Sequence, residues 1–447
     1  MALSLESPIR RPLDHAVRAL LLLTVSWKIL LLSIAFLSPG PGYDSSSALL
    51  LQQHPLALRL TRWDAVYFAS SAARDHVYEQ EWAFSWLLSR LISITANSLP
   101  LSAEPLAANV WAATIIANAS HLLSVLALYH LMRRLFPAST KIPFLTAALH
   151  VLSPAGLFLT APYGEAPFSL LNFLGLLSFC HARQLNGTQP VIYLWCMLTT
   201  GLCFGLATAV RSNGLLNGLI LLYDAPEILH GLLSSPRKTP SLRSLAAYAL
   251  AGVLTASGLV VPQWIAYQHY CTAETPRPWC NKSLPSIYTF VQHHYWNVGF
   301  LRYWTLSNVP LFLLAAPSLF LLISTGLREP GDHPCKPLIN RRTRPSELAS
   351  SEPSTQQLFT RRFLIQMALP QLALALLALT NFHVQIINRI SSGYPLWYLA
   401  VAAGLDGAAP LQHLAIAGKR TSASILRVMV MYAIIQGALF ASFLPPA

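Results

Sequence analysis

Five stretches of this chain gather acidic, basic and amide side chains where a connecting loop would ordinarily hold little but turn residues. They are Arg62-Trp63-Asp64 with Tyr78-Glu79-Gln80-Glu81, Tyr163-Gly164-Glu165, Arg211-Ser212-Asn213-Gly214, Tyr295-Trp296-Asn297-Val298-Gly299, and the run from His383 to Pro395 that carries Gln385 and Arg389. A carboxylate at such a place can accept the proton of an attacking hydroxyl. Asp64, between an arginine-indole pair and an apolar run, is the first choice for that base, and Glu79 and Glu81 compete with it. A cationic side chain, Arg, Lys or His, can stabilise a departing phosphate. When phosphate leaves, one carboxylate base suffices; an alkoxide leaving group would require a second carboxyl as acid. The set therefore fits transfer from a sugar phosphate better than glycoside hydrolysis. Each residue also has a structural account: an interfacial Arg-Asp pair, an arginine snorkelling at a helix end, or, for Trp63, Trp296 and Trp304, an aromatic belt.

The elements that must position these residues are set by composition. With 54% hydrophobic and 11% charged residues, the 447-residue chain has too little polar surface for a soluble domain. Apolar stretches long enough to cross a hydrocarbon core ~30 Å thick recur throughout. The spacing predicts eleven spanning helices, near 19–37, 106–131, 143–160, 166–182, 191–209, 212–229, 244–264, 309–326, 363–380, 396–415 and 424–443, in one all-α membrane domain over 1–447. With the N-terminus cytosolic, 19 of the 30 Lys and Arg residues fall on cytosolic segments and 9 on the opposite side, the bias that orients helices during insertion. Much of the +13 net charge is then topological rather than a nucleic-acid footprint. All five polar stretches lie on the luminal side of this topology, with the C-terminus. The loops expected there are 38–105, with interfacial helices between Trp63 and Ile92 that present its carboxylates at headgroup level, and 265–308; the Pro- and Ser-rich 327–362 reads as a flexible cytosolic loop.

Cys271 and Cys280 share the second luminal loop and could form a disulfide, and the adjacent Asn281-Lys282-Ser283 sequon would be open to N-glycosylation. The sequons at Asn118 and Asn186 fall in a helix and in the cytosol, and are expected to stay unmodified. Lys28, inside the first apolar stretch, is expected to snorkel to the interface. His293-His294 alone does not make a metal site, and neither a bound metal nor another cofactor is expected; there is no Gly-rich phosphate loop. A transporter or scramblase would spread its polar groups along a path through the bilayer, whereas here most lie at one face.

The segments RWDAVYF, YEQEWAF, SPAGLFLTAPYGEAPF, AVRSNGLLNG, YWNVGFLRYW and HVQIINRISSGYPLWY, in order over residues 62–398, resemble the PIG-V type of GPI mannosyltransferase, in its fungal form. The resemblance implies a GT-C-like enzyme of the endoplasmic reticulum membrane that takes mannose from dolichyl-phosphate-mannose and adds the second mannose, α-1,6-linked, to the GPI-anchor precursor by inverting displacement. A related transferase with another acceptor is the alternative. The partners implied are the two lipid substrates and the membrane, with a small accessory membrane subunit as an open question. Carried onto this chain, the resemblance implies Asp64 as base; Glu79, Glu81 and Glu165 as acceptor-positioning groups or alternative bases; Arg62, Arg211, Asn213, His383, Gln385 and Arg389 as donor-phosphate or substrate contacts; and Trp63, Trp296 and Trp304 as aromatic contacts.

Overall fold

The computed structural model describes residues 10–39, 50–102, 104–185, 189–234, 239–328, 354–407, 413–442 and 444, and among them the regular structure is entirely helical. Eight helices are long: α1 (Arg10–Leu37), α2 (Pro105–Leu135), α3 (Glu165–Leu185), α4 (Pro190–Val210), α5 (Thr239–Cys271), α6 (Val309–Gly326), α7 (Thr355–Thr380) and α8 (Lys419–Ala441). All but α3 are long and apolar enough to cross a membrane. The expected cytosolic loop 327–362 gives up its last residues to α7. Its Ser354 starts that helix with a capping box, the hydroxyl accepting from the Gln357 N–H while the Gln357 side chain accepts from the Ser354 N–H at 2.8 Å. Most of the remainder, Cys335 included, lies outside the described residues, as does Asn186.

Three of the eleven expected spans are not continuous helices. The segment 143–160 ends its helix at Val151, because Pro154 has no N–H and disfavours helical geometry at Ser153; a 3-10 turn, Gly156–Leu159, follows. The segment 212–229 is divided into a 3-10 turn (Ser212–Asn217) and two helices (Gly218–Leu222 and Ala225–Ser234). At the break between the two helices the Asp224 carboxylate, 1% exposed, accepts from Arg183, Tyr248, Arg362 and Gln366. The segment 396–415 stops at Asp406, followed by Gly407 at φ +66°, a left-handed terminator that favours glycine. Protein rather than lipid surrounds the short helix Leu396–Asp406, whose residues 396–404 are all buried.

Among lipid-facing helices it is close backbone approach, more than the hydrophobic effect, that holds neighbours together. On α4 and α5 a Cβ at Gly205 would lie 2.2 Å from the Leu254 carbonyl oxygen, and one at Gly258 would lie 2.0 Å from that of Gly205, so only glycine permits this crossing. The wholly buried ring of Phe204 on α4 lies against Gly175 of α3, while Phe179 of α3 packs on Tyr248 of α5 and Phe363 of α7. Lys28 does not snorkel: buried in α1, it donates to the Leu159 carbonyl at 2.6 Å and the Thr160 hydroxyl at 2.8 Å, holding the end of the 3-10 turn. The first loop forms two helices in the region expected to hold them, Asp64–Arg74 and Trp86–Ser98, the second capped by Ser85, whose hydroxyl accepts from the Leu88 N–H at 2.9 Å. Glu165 begins α3 and Arg183 lies near its other end, ~27 Å away at the helical rise. The polar stretches thus collect at one end of the bundle and the Asp224 knot at the other.

Candidate active site

Asp64 is the first residue of its helix, where the helix dipole favours a carboxylate. The residue before it, Trp63, has φ +46°, a conformation costly for a bulky side chain. The turn is held by the Arg62 carbonyl, which accepts from the Ala65 N–H at 3.0 Å and the Tyr163 hydroxyl at 2.8 Å. Tyr163-Gly164-Glu165 therefore grips the segment that presents Asp64.

The Asp64 carboxylate pairs with the guanidinium of Arg389, which comes from the short helix Ile387–Ile390. That guanidinium also lies 5.2 Å from the Phe158 ring centre and 5.3 Å from that of Tyr163, so it is restrained by both rings. Its Nε is 3.5 Å from Glu165 Oε1, and the same oxygen accepts from Arg211 Nη1 at 2.7 Å. Burial alone would weaken the Arg389 charge, but Asp64 and Glu165 more than offset it, raising its pKa above the ordinary arginine value. Arg211 is aimed by the turn that follows it. Gly214 returns its N–H to the Arg211 carbonyl at 2.8 Å, and a Cβ at Gly214 would sit 2.5 Å from the Thr208 nitrogen. Asn213 donates to the Tyr394 hydroxyl at 3.0 Å.

These side chains wall a cavity of about 530 Å³. Asp64, Arg211 and Arg389 form its ionic side, with the Asn213 amide beside them and Trp63, Trp296 and His383 also in the wall. His383 Nε2 lies 3.2 Å from the Trp296 carbonyl and ties the two loops together.

Several residues expected at the site face elsewhere. Arg62 is buried and donates to the Ala441 carbonyl at 3.1 Å, at the end of α8. Gln385 accepts from the Tyr303 hydroxyl at 3.0 Å, and Trp304, 55% exposed, donates to the Leu379 carbonyl at 2.8 Å, as a belt tryptophan would. Glu81 accepts from Arg74 at 2.6 Å and from the N–H groups of Val77 and Tyr78 at 2.8 and 2.9 Å. Glu79 accepts from Trp279 Nε1 at 3.0 Å and the Tyr295 hydroxyl at 3.1 Å. Trp279 precedes Cys280, which is disulfide-bonded to Cys271, so Glu79 fastens the loop 38–105 to the loop 265–308. Asn281 is exposed beside that bond. Neither Glu79 nor Glu81 belongs to the cavity wall, and each has its acceptor capacity engaged by the protein. Glu165, with no exposed side chain, lies behind the wall.

Other polar groups in the wall escaped the sequence reading: Tyr67, Gln263, Tyr288 and Gln292. Tyr67 follows Asp64 by three residues, a helical spacing that places both on one face. Tyr288 and Gln292 are four apart on Ile287–His294 and carried the same signal. Gln263, inside an apolar span, carried none. Burial first, then Asp64 and Glu81, raises the Tyr67 pKa, which keeps its phenol protonated.

Comparison with known proteins places this geometry in a family. The family model described as mannosyltransferase (PIG-V) matches residues 16–447. Similar proteins include GPI mannosyltransferase 2 of Chaetomium globosum, 39% identical with 97% of each chain covered, and that of Gibberella zeae, 40% identical over 97% of this chain and 99% of the relative. Among solved structures, the Archaeoglobus fulgidus oligosaccharyltransferase tethered to an acceptor peptide overlaps at a TM-score of 0.48 and 12% identity, covering 96% of this chain and 56% of that one. With one family model running across nearly the whole length, and full-length relatives well above 30% identity, this chain belongs to the PIG-V mannosyltransferase family.

Proposed function

We propose that this family member adds the second mannose to the GPI-anchor precursor, taking it from dolichyl-phosphate-mannose and forming an α-1,6 linkage at the luminal face of the endoplasmic reticulum. The observation that carries the reading is the placing of Asp64, Arg389 and Arg211 on one cavity wall, with Glu165 behind it pairing both guanidiniums, from segments as far apart in sequence as Asp64 and Arg389. A base and two cations at one cavity are what displacement at a glycosyl phosphate requires. In the reaction a hydroxyl oxygen of the acceptor attacks C1 of the mannose. Its proton passes to Asp64, and the C1–O bond to phosphate breaks with its electron pair remaining on the phosphate. Arg389 and Arg211 take up that charge. Attack opposite to the leaving group converts a β-linked donor into an α-linked product in one step, without a covalent sugar-enzyme intermediate. Both lipid substrates hold their reacting groups at headgroup level, the depth proposed for the interfacial helix that starts at Asp64. In this orientation the N-terminus is cytosolic and the C-terminus luminal.

The test is expression in cells that lack second-mannose transfer, with mass spectrometry of the accumulated GPI lipids. Conversion of the one-mannose intermediate into an α-1,6-linked two-mannose species is expected. Persistence of the one-mannose lipid in cells making this protein, with an accessory membrane subunit of a related transferase co-expressed, would overturn the assignment.

A further inference from the structure

The row Asp64, Arg389, Glu165, Arg211 contains one member with no access to the cavity. Glu165 has 0% of its side chain exposed and cannot meet an acceptor hydroxyl, yet its Oε1 contacts both guanidiniums, Arg211 Nη1 at 2.7 Å and Arg389 Nε at 3.5 Å. Its Oε2 is buried without a hydrogen-bond partner among the described residues, so the two cations are what offset the burial of this charge. The backbone beside it is pressed against the same arginine: a Cβ at Gly164 would lie 3.4 Å from Arg211 Cγ. Arg389 reaches its two carboxylates through different nitrogens, Nη2 to Asp64 and Nε to Glu165. One contact can change hands while the other stays.

The pairing of Asp64 with Arg389 leaves the base occupied when no donor is bound, because the guanidinium covers the carboxylate oxygen Oδ2. A donor phosphate entering the cavity offers Arg389 a second anion. We propose that Glu165 is a positioning residue that holds Arg389 and Arg211 in place while the outer contact of Arg389 passes from Asp64 to the donor phosphate, so that the base is released only with donor bound. This rests on the mannosyl-phosphate reading given above. Two carboxylates and two guanidiniums make the row neutral. Without the Glu165 charge it would carry one net positive charge, tightening the hold on the more highly charged dolichyl phosphate left after transfer, and both arginines would be free to close on Asp64.

The experiment compares wild type, Glu165→Gln, Glu165→Asp and Asp64→Asn in microsomes, with labelled dolichyl-phosphate-mannose as donor. It measures kcat, the donor KM and inhibition by added dolichyl phosphate. Glu165→Gln should lower kcat by about tenfold or more, leave the donor KM level or lower, and make dolichyl phosphate a several-fold stronger inhibitor. Glu165→Asp, which keeps the charge, should regain part of kcat and show wild-type inhibition. A carboxylate that merely packs the fold would instead give weaker donor binding and weaker inhibition together, and that outcome overturns the proposal, as do wild-type constants for Glu165→Gln. If Glu165→Gln does not accumulate, Glu165→Asp decides: inhibition shifted away from wild type overturns it. Full transfer by Asp64→Asn would sink the underlying assignment of the base, whereas loss in Asp64→Asn with wild-type behaviour in Glu165→Gln would sink this inference alone.

Discussion

Replacing Arg389 by Met keeps a side chain of similar reach and removes the charge shared by two carboxylates. The Arg389 side chain is 14% exposed, contacts Asp64, and approaches Glu165 to 3.5 Å. Opposite charges about 4 Å apart attract by roughly 4 kcal/mol at an effective dielectric constant near 20. Removing one partner from a buried pair typically costs about 3–5 kcal/mol, because the other charge is stranded. Here Glu165 retains Arg211, and Asp64, 27% exposed, can turn to water, so the loss of stability should fall at the lower end, about 3 kcal/mol. Transfer should suffer separately, since a donor that stabilises a leaving anion is worth about 10²–10³ in rate. Arg389→Lys keeps the charge but cannot present two nitrogens in a fixed fork. It should rank between wild type and Arg389→Met in both properties. Detergent-solubilised protein gives the first readout, as the temperature at which half the monodisperse protein is lost, and mannose transfer per folded molecule gives the second. An Arg389→Met protein that melts with wild type and transfers mannose at a similar rate would exclude both roles for the guanidinium.

Three further predictions address separate parts of the molecule. Asn281 lies exposed beside the disulfide, so the protein from a eukaryotic membrane should lose gel mass on endoglycosidase treatment, and Asn281→Gln should run at that lower mass from the start; an unshifted wild type would count against a luminal loop. Asp224→Ala strands Arg183 and leaves Arg362 with Glu227 alone, at the far end of α3 from Glu165, and should cost about 3 kcal/mol of stability, while the activity of what remains folded stays near wild type; lost activity with an unchanged melting temperature would contradict this. Burial holds the His76 pKa below its ordinary 6.5 against the opposing pull of Asp75. The unfolded chain then takes up protons first as the pH falls, so this stabilisation is complete above about 6.5 and declines below it. His76→Phe should lose less melting temperature than wild type on acidification, and parallel curves would exclude His76 as the source.

The membrane class and the long spans were legible because apolar runs of spanning length need no tertiary information. The broken spans were not. Hydropathy reports that 212–229 is apolar, but the chain turns at Asp224 because three other helices supply that carboxylate with donors. For Leu396–Asp406, burial of residues 396–404 in protein removes the length requirement that lipid imposes. At the site, residue types pointed to Asp64, Glu165, Arg211 and Arg389, while their pairing was invisible because Asp64 and Arg389 meet only through the fold. The same ignorance of partners made Glu79 and Glu81 look free for chemistry, where Trp279, Tyr295 and Arg74 engage them. Arg62 was misjudged for a related reason: it sits two residues from the proposed base but turns toward the carbonyl end of α8.

In the proposed reaction one carboxylate on the cavity wall takes the proton from the attacking hydroxyl. Replacing Asp64 by Asn preserves its size and its first-turn position and removes the proton-accepting charge. In microsomes containing equal amounts of folded protein, Asp64→Asn should transfer mannose from labelled dolichyl-phosphate-mannose about 10²–10⁴ times more slowly than wild type and still bind the donor. Transfer by Asp64→Asn at the wild-type rate would contradict this role for Asp64.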